Sequence, residues 1–309
     1  MGLSGWIRFA GSGDLSFYPM IRKIDILSSN SYLIGSEDDL ILIDPGAIPE
    51  QADTILSVIS KLPENRQLTG ILLTHTHMDH CHSLVSHPKL SSFADRAYSH
   101  VSGVHALKTE DYGVTQATIL GKKLYPTLLG NPLFSTHQEA GRYGLSEETI
   151  TLPGGLRITA YHTPGHSPDC ICYQIHDTLF IGDTLFAGAP GIAGIIGYSR
   201  EDLLRSLHGL TGVIRSEAID ICYSGHGNPI PAADAIRSID LIARQVEGLE
   251  GIGTITPERM KETALFAEDL MAEINETLTI ISDRITFVSH MLEELEEGDS
   301  AGEISSVLD

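Results

Sequence analysis

The string His75-Thr76-His77-Met78-Asp79-His80 sets four metal-ligating side chains into six residues, directly after the apolar run Ile71-Leu72-Leu73. An apolar, β-type run that ends in a polar cluster reads as a buried strand delivering its last residues into a loop. Loops carried on rigid strands are where sites sit. His75 and His77 lie two apart and project from one side of an extended segment, whereas Asp79 and His80 come from the turn that follows. Two separate ligand sets are therefore expected. Imidazole and carboxylate suit zinc, iron or manganese, and no Cys pair stands at the spacing of a closed structural zinc site.

Three later segments repeat the pattern of strand, then polar loop. His162-Thr163-Pro164-Gly165-His166-Ser167 follows the alternating run Leu156 to Tyr161. The apolar stretch Leu179-Phe180-Ile181-Gly182 ends on Asp183, and Ile219 to Ser224 leads to His226 between two glycines.

With these motifs in hand, the chain resembles the metallo-β-lactamase-fold hydrolases, closest in motif wording to their glyoxalase II-like branch, over roughly residues 20–232. The resemblance implies a four-layer αββα sandwich of helices outside two sheets. It implies one divalent ion held by His75, His77 and His166, a second by Asp79, His80 and His226, and Asp183 bridging them. Asp44, in Leu42-Ile43-Asp44-Pro45-Gly46, matches the family's first motif, where the Asp organises the ligands. His162 is implied to pack or support, not to ligate.

Such a ligand set, with only two carboxylates, leaves about two units of excess positive charge, enough to bind hydroxide at neutral pH. A hydroxide shared by two ions is a nucleophile that needs no Ser or Cys, with Asp79 orienting it and Asp183 holding the pair. The expected reaction is attack on an ester, thioester or lactone carbonyl. Zinc is the first expectation for the two ions, with iron or manganese also compatible.

The chain departs from the glyoxalase II pattern after His166, where it reads Ser167-Pro168-Asp169-Cys170. Cys170 stands where the related persulfide dioxygenases also carry a Cys, and those enzymes use a single iron; His226 and the complete six-residue string favour two ions. His77 occupies a position where flavodiiron proteins carry Glu. Glutathione recognition in glyoxalase II uses basic residues near the C-terminus, whereas residues 236–309 hold five Lys/Arg against seventeen Asp/Glu.

The net charge of −21 disfavours polyanionic partners and so a nuclease role. Cys81, Cys170, Cys172 and Cys222 do not form a disulfide framework, which predicts a reducing cytoplasm and a packing role for each. No secretory leader, myristoylation signal or 18-residue apolar run is read, so no membrane association is expected.

Along the chain, Ile21–Ile34 and Leu40–Asp44 read as an antiparallel pair, and Gln51–Leu62 as a helix stopped by Pro63. The 85 residues between His80 and His166 exceed what a strand–helix connection needs. Their middle, about 109–144, is expected to be an inserted, lid-like segment whose Lys122 and Arg142 favour an anionic small-molecule substrate. The predicted domain is 1–232, followed by a helical C-terminal extension over 233–309. Thr256-Pro257-Glu258 starts a helix over about 257–297, in which Met260, Ala264, Ala267, Met271, Ile274, Leu278, Ile281, Ile285, Val288, Leu292 and Leu295 recur at alternating spacings of four and three. A helix of roughly 60 Å outruns a core whose radius of gyration is about 17 Å, so a homodimer through this seam is expected.

Three function classes fit these residues: a dinuclear hydrolase first, a single-iron persulfide dioxygenase-like oxidoreductase second, and a non-catalytic metal-binding scaffold third. Metal content and turnover separate them.

Overall fold

The computed structural model describes residues 5–9, 14–21, 27–62, 66–135, 141–185 and 196–248. The heptad segment 257–297 and most of the 233–309 extension lie outside the described residues.

Two sheets form the centre. The first orders seven strands consecutively: β1 (Ile7–Arg8), β2 (Ser16–Met20), β3 (Ser31–Gly35), β4 (Leu40–Ile43), β5 (Gly70–Leu72), β6 (Ala97–His100) and β7 (Asn131–Leu133). Pairing is antiparallel up to β4 and parallel from β4 to β7. The second sheet runs β13 (Ile230–Pro231), β12 (Ile221–Ser224), β11 (Thr178–Gly182), β10 (Ile171–Ile175), β9 (Arg157–His162) and β8 (Glu147–Thr151). Here only β11 and β12 are parallel.

Side-chain alternation builds the layers. On β4, Ile41 and Ile43 enter the core between the sheets, with Ile158, Tyr173 and Phe180 from the second sheet. Its alternate residues Leu40 and Leu42 face outward onto Ala52 and Ile55 of helix α1 (Pro49–Ser60) and Leu84 of helix α2 (Met78–Ser86). On β11, Phe180 points inward, while Leu179 and Ile181 pack on Leu203, Leu207 and Leu210 of a helix over Arg200–Ser216 and on Ile239 of one over Ala232–Gly248. The order is helix, sheet, sheet, helix, with a helical extension beginning at Ala232. Burial on both faces explains why β4 is the uninterrupted run Leu-Ile-Leu-Ile rather than an alternating one.

Three differences from the sequence reading have local causes. The antiparallel pairing of this stretch with Leu40–Ile43 holds, but the strand expected over 21–34 begins at Ser31, because Ser29 and Asn30 spend their backbone N–H groups on Asp79 and Gly225 carbonyls; on its other edge β3 pairs with β2. Asp79 and His80 sit in the first turn of α2 rather than in a plain turn. The segment 109–144 supplies β7 to the first sheet and packs Ala117, Leu124 and Leu129 into the outer core beside α1 and α2. Within it Arg142 pairs with Glu217 at the end of the Arg200–Ser216 helix, 3.5 Å away. All four cysteines are buried and free, and burial raises every thiol pKa, Cys172 to about 11 and Cys222 to about 12. They pack, as expected.

Two tyrosines tie the sheets together across the inner core. The Tyr173 hydroxyl donates to the Leu73 carbonyl (2.8 Å) and the Tyr32 hydroxyl to that of Ser224 (2.6 Å). Beside them His100 stacks on His162 at 4.1 Å between centroids. Burial, then proximity of His162, pushes the His100 pKa down to about 3. The unfolded chain, with a His pKa near ~6.5, therefore takes up the proton first, and the stability associated with neutral His100 is lost as pH falls from ~6.5 toward 3. Replacing His100 with Phe should flatten the fall of Tm on acidification between about pH 6.5 and 4 relative to the parent. An unchanged slope would refute this assignment.

Candidate metal centre

The site forms where strand ends from both sheets meet. β5 leads through Thr74 to His75, Thr76 and His77, and α2 starts at Met78, carrying Asp79 and His80 on its first turn. The loop after β9 supplies His166, the end of β11 supplies Asp183, and the loop after β12 supplies His226. Every ligand-type residue expected from the sequence is brought together. His75, His77 and His166 form one group and Asp79, His80, Asp183 and His226 another, the donor atoms within each lying no more than 4.8 Å apart.

Distances show how the groups adjoin. His77 Nδ1 and His166 Nε2 are 3.0 Å apart. In the second group His80 Nε2 stands 3.3 Å from Asp183 Oδ2, and His226 Nε2 lies 3.0 Å from Asp79 Oδ2 and 3.6 Å from Asp183 Oδ2. The same Asp183 oxygen is 3.7 Å from His166 Nε2 in the first group. Asp183 is thus the one residue whose carboxylate reaches donors of both groups among the described residues.

Backbone shape allows this crowding. A Cβ on Gly225 would overlap Asp183 Oδ1 and His80 Cε1. Gly182, at φ 49°, turns the chain into Asp183 with no room for a Cβ beside Thr74.

Buried carboxylates set the orientation. Asp44, itself at φ 47°, accepts the Thr74 N–H on Oδ1 (2.8 Å), and the Thr74 hydroxyl (2.6 Å) and His80 Nδ1 (2.9 Å) on Oδ2. His80 is thereby turned with Nε2 toward the acids. Asp169 does the same for the other loop: Oδ2 accepts the Thr76 N–H (2.8 Å) and hydroxyl (2.7 Å), and Oδ1 the Ser167 hydroxyl (2.6 Å). One carboxylate thereby pins the residue between His75 and His77 and the residue after His166. Gln116 reaches His77 Nε2 at 2.9 Å.

Asp44 was legible in the sequence; Asp169 and Gln116 were not identified. Asp169 had a weak signal, an acid in the polar loop behind His166. Gln116 had none, being 39 residues from the histidine it touches. His162 stands apart as expected, its Nε2 bonded to the Pro168 carbonyl at 3.0 Å and its ring on His100.

Electrostatics test whether divalent ions fit. Burial opposes charge on His80, but Asp183, Asp79 and Asp44 outweigh it and hold its pKa well above the ordinary value. Burial would raise the Asp183 carboxyl too, yet His80 and His226 hold it far below the usual range. Three acids thus converge where positive charge is favoured. Burial and then the neighbouring imidazoles, His80 foremost, drive His75 well below its usual pKa, keeping it a neutral donor. His75 Nε2 and Asp183 Oδ1 are both buried with no hydrogen-bond partner, a costly arrangement unless something else binds them. Neutral imidazoles, ionised carboxylates and orphaned inward-facing atoms are what divalent cations require.

Comparison with known proteins agrees. Residues 24–226 match the family model described as the metallo-beta-lactamase superfamily, and the chain belongs to that superfamily. An uncharacterised protein of Mycobacterium tuberculosis is 27% identical over 215 residues, 66% of this chain and 88% of that one. The atrochrysone carboxyl ACP thioesterase of Aspergillus fumigatus is 23% identical over 209 residues, 66% of this chain and 52% of that one. Among solved structures, the BLEG-1 B3 metallo-beta-lactamase superposes with a TM-score of 0.54 at 24% identity, covering 73% of this chain and 99% of the other. TTHA1623 in a di-iron-bound form gives 0.51 at 24% identity, covering 71% and 97%. Fold, family and the paired donor groups define a metal-dependent hydrolase with a dinuclear divalent site.

Replacing Asp44 with Asn keeps the size but removes charge from the acceptor that orients His80. Metal retention, measured by competition with a chromophoric chelator, should weaken by about 10–100-fold. Affinity equal to the parent's would show that Asp44 does not organise the site.

Proposed function

We propose that the chain hydrolyses an ester, thioester or lactone of a small, anionic molecule, with the glyoxalase II-like branch as its nearest functional kin. The observation that carries this reading is the completeness of both donor sets around Asp183. His75, His77 and His166 would hold one ion, Asp79, His80 and His226 the other, and Asp183 both, with zinc preferred and iron or manganese compatible. Bound divalent ions supply Lewis acidity that makes water nucleophilic near neutral pH and polarises a carbonyl.

The residues of the chain do the rest. The side chains of His80, His166 and Asp183 are at most 4% exposed, whereas those of Asp79 and His226 are 12% and 21% exposed. Water and substrate therefore approach from the Asp79–His226 side. His80, then its hydrogen bond from His226, outweigh burial and hold the Asp79 carboxyl below its usual pKa. It stays an ionised acceptor that orients the attacking water. Burial and Asp44 keep His80 fixed while this happens.

Thioesters suit the site because a thiolate, with a pKa near ~8.5, leaves without prior protonation. The outer nitrogens of His80 and His77 are committed to Asp44 and Gln116, so their protons are tied up there rather than offered to a poor leaving group. The fungal thioesterase among the relatives supports the same acyl class. The complete second donor set favours two-ion hydrolysis over single-iron oxidation or a passive scaffold. Lys122, whose Nζ lies 3.4 Å from the Ala47 carbonyl, is the cation offered by the segment 109–144 for an anionic substrate.

The heptad positions from Met260 to Leu295 support a homodimer, and the net charge of −21 argues against a nucleic-acid partner. Four buried, free thiols fit a reducing cytoplasm. No described helix is long and apolar enough to cross a membrane.

A panel of thioesters, esters, lactones, phosphodiesters and β-lactams, assayed on protein of known metal content, should show turnover among the acyl esters. Turnover should be lost to a chelator and restored by two equivalents of zinc. Oxygen uptake with one iron, or loaded protein inert on the whole panel, would overturn the proposal. His77→Ala and Asp183→Ala should abolish activity together with metal retention, whereas His162→Ala should be milder. Equal loss in all three would contradict the ligand assignment.

A further inference from the structure

The segment that follows helix α4 (Val101–Lys108), itself preceded by the short helix α3 (Pro88–Ser91), reaches the donor groups at Gln116. After Thr109 the chain makes a turn in which Asp111 Oδ1 accepts the N–H groups of Gly113 and Val114, both at 3.0 Å. The Thr115 N–H (3.1 Å) and hydroxyl (2.6 Å) both donate to the Asp111 carbonyl, and the Gln116 N–H donates to that of Gly113 at 3.2 Å. The turn is fastened to α2 itself, because the Met78 N–H donates to the Thr115 carbonyl at 2.9 Å. Gln116 is left at φ 56°, in the left-handed region that a β-carbon disfavours, and is 8% exposed. Such strain persists only where the surroundings over-determine it, and here it aims a buried amide at His77 Nε2, which Gln116 Nε2 faces at 2.9 Å, with the amide's nitrogen and oxygen interchangeable by a half-turn about its last torsion. On the other side of the same ring, Nδ1 faces His166 within the first donor group.

We propose that Gln116 is a positioning residue for His77: its amide fixes the ring's orientation and tautomer so that Nδ1 is presented as the donor of the first set. The proposal rests on the reading of His77 as a ligand. An imidazole ligates through its unprotonated nitrogen, and the remaining N–H needs an acceptor. A glutamine amide turned about its last torsion offers Oε1 as that acceptor, so His77 Nε2–H donates to Gln116 while Nδ1 keeps its lone pair. The first donor set contains no carboxylate of its own to orient His77. The segment between α4 and β7 thus does more than pack; it supplies the group that readies one imidazole for its ion.

The test uses the full chain and three variants. Gln116→Met keeps length and removes the acceptor; Gln116→Glu keeps an acceptor; His77→Ala removes the ring. Zinc affinity and stoichiometry are read by competition with a chromophoric chelator, and the His77 tautomer by long-range proton–nitrogen NMR on the zinc-loaded protein. Gln116→Met should weaken one of the two zinc ions by about 10–100-fold and leave the other unchanged. Gln116→Glu should bind both within about threefold of the parent, with the His77 proton on Nε2, as expected when an acceptor still faces that nitrogen. A Met variant that binds both ions as tightly as the parent, while His77→Ala loses one, overturns the role of Gln116 alone. Equal weakening in the Met and Glu variants also overturns it, since a merely structural glutamine is not rescued by an acceptor. Retention of both ions by His77→Ala overturns the ligand reading beneath it.

Discussion

Asp44 concentrates the constraint on which the site depends. Its carboxylate is buried at the tip of a strand buried along its whole length, and it accepts from the backbone and hydroxyl of Thr74 and from His80. A buried carboxylate is costly unless its lone pairs are engaged. Here the same bonds that satisfy it also align the strand β5 with β4 and turn His80 toward Asp79 and Asp183. Asp169 repeats the device from the second sheet, gripping Thr76 and Ser167 and so locking together loops that are 93 residues apart. The tyrosine bridges from Tyr32 and Tyr173 close the sandwich beneath them. Two buried acids, accepting from three hydroxyls and from the backbone of Thr74 and Thr76, thus tie the ligand loops to one another.

The sequence made the donor residues legible because their signal is local. Each stands just past an apolar run, either in the string His75–His80 or within four residues of a strand end. The two sheets were legible for the same reason, since Leu40–Ile43 and Thr178–Gly182 are apolar throughout. What escaped was long-range. Asp169 and Gln116 matter only through partners far along the chain, and a polar residue in a loop gives no sign of whom it will meet. The first hairpin pairs as its pattern indicates, but its first strand is shorter, because Ser29 and Asn30 look like strand edge while their N–H groups are spent on the loops of Asp79 and Gly225. The partner of Arg142 is likewise distant in sequence, since Glu217, 3.5 Å from it, stands at the end of the Arg200–Ser216 helix.

The inner and outer faces of the molecule carry opposite electrostatic demands. A chain with a net charge of −21 gathers three of its acids around a buried imidazole while the remaining negative charge lies elsewhere. The core therefore favours cations at one point, whereas the long-range field repels polyanions. Bound ions would give the donor groups their positive character, and the partly exposed Asp79–His226 side is where a substrate would reach them.

Five imidazoles and two carboxylates are arranged to hold a pair of ions side by side. Elemental analysis combined with anomalous diffraction on purified, reconstituted protein measures it directly. Two ions per chain, one against His75, His77 and His166 and one against Asp79, His80 and His226 with Asp183 touching both, is the predicted result. A single ion, or ions bound away from these seven residues, would contradict it.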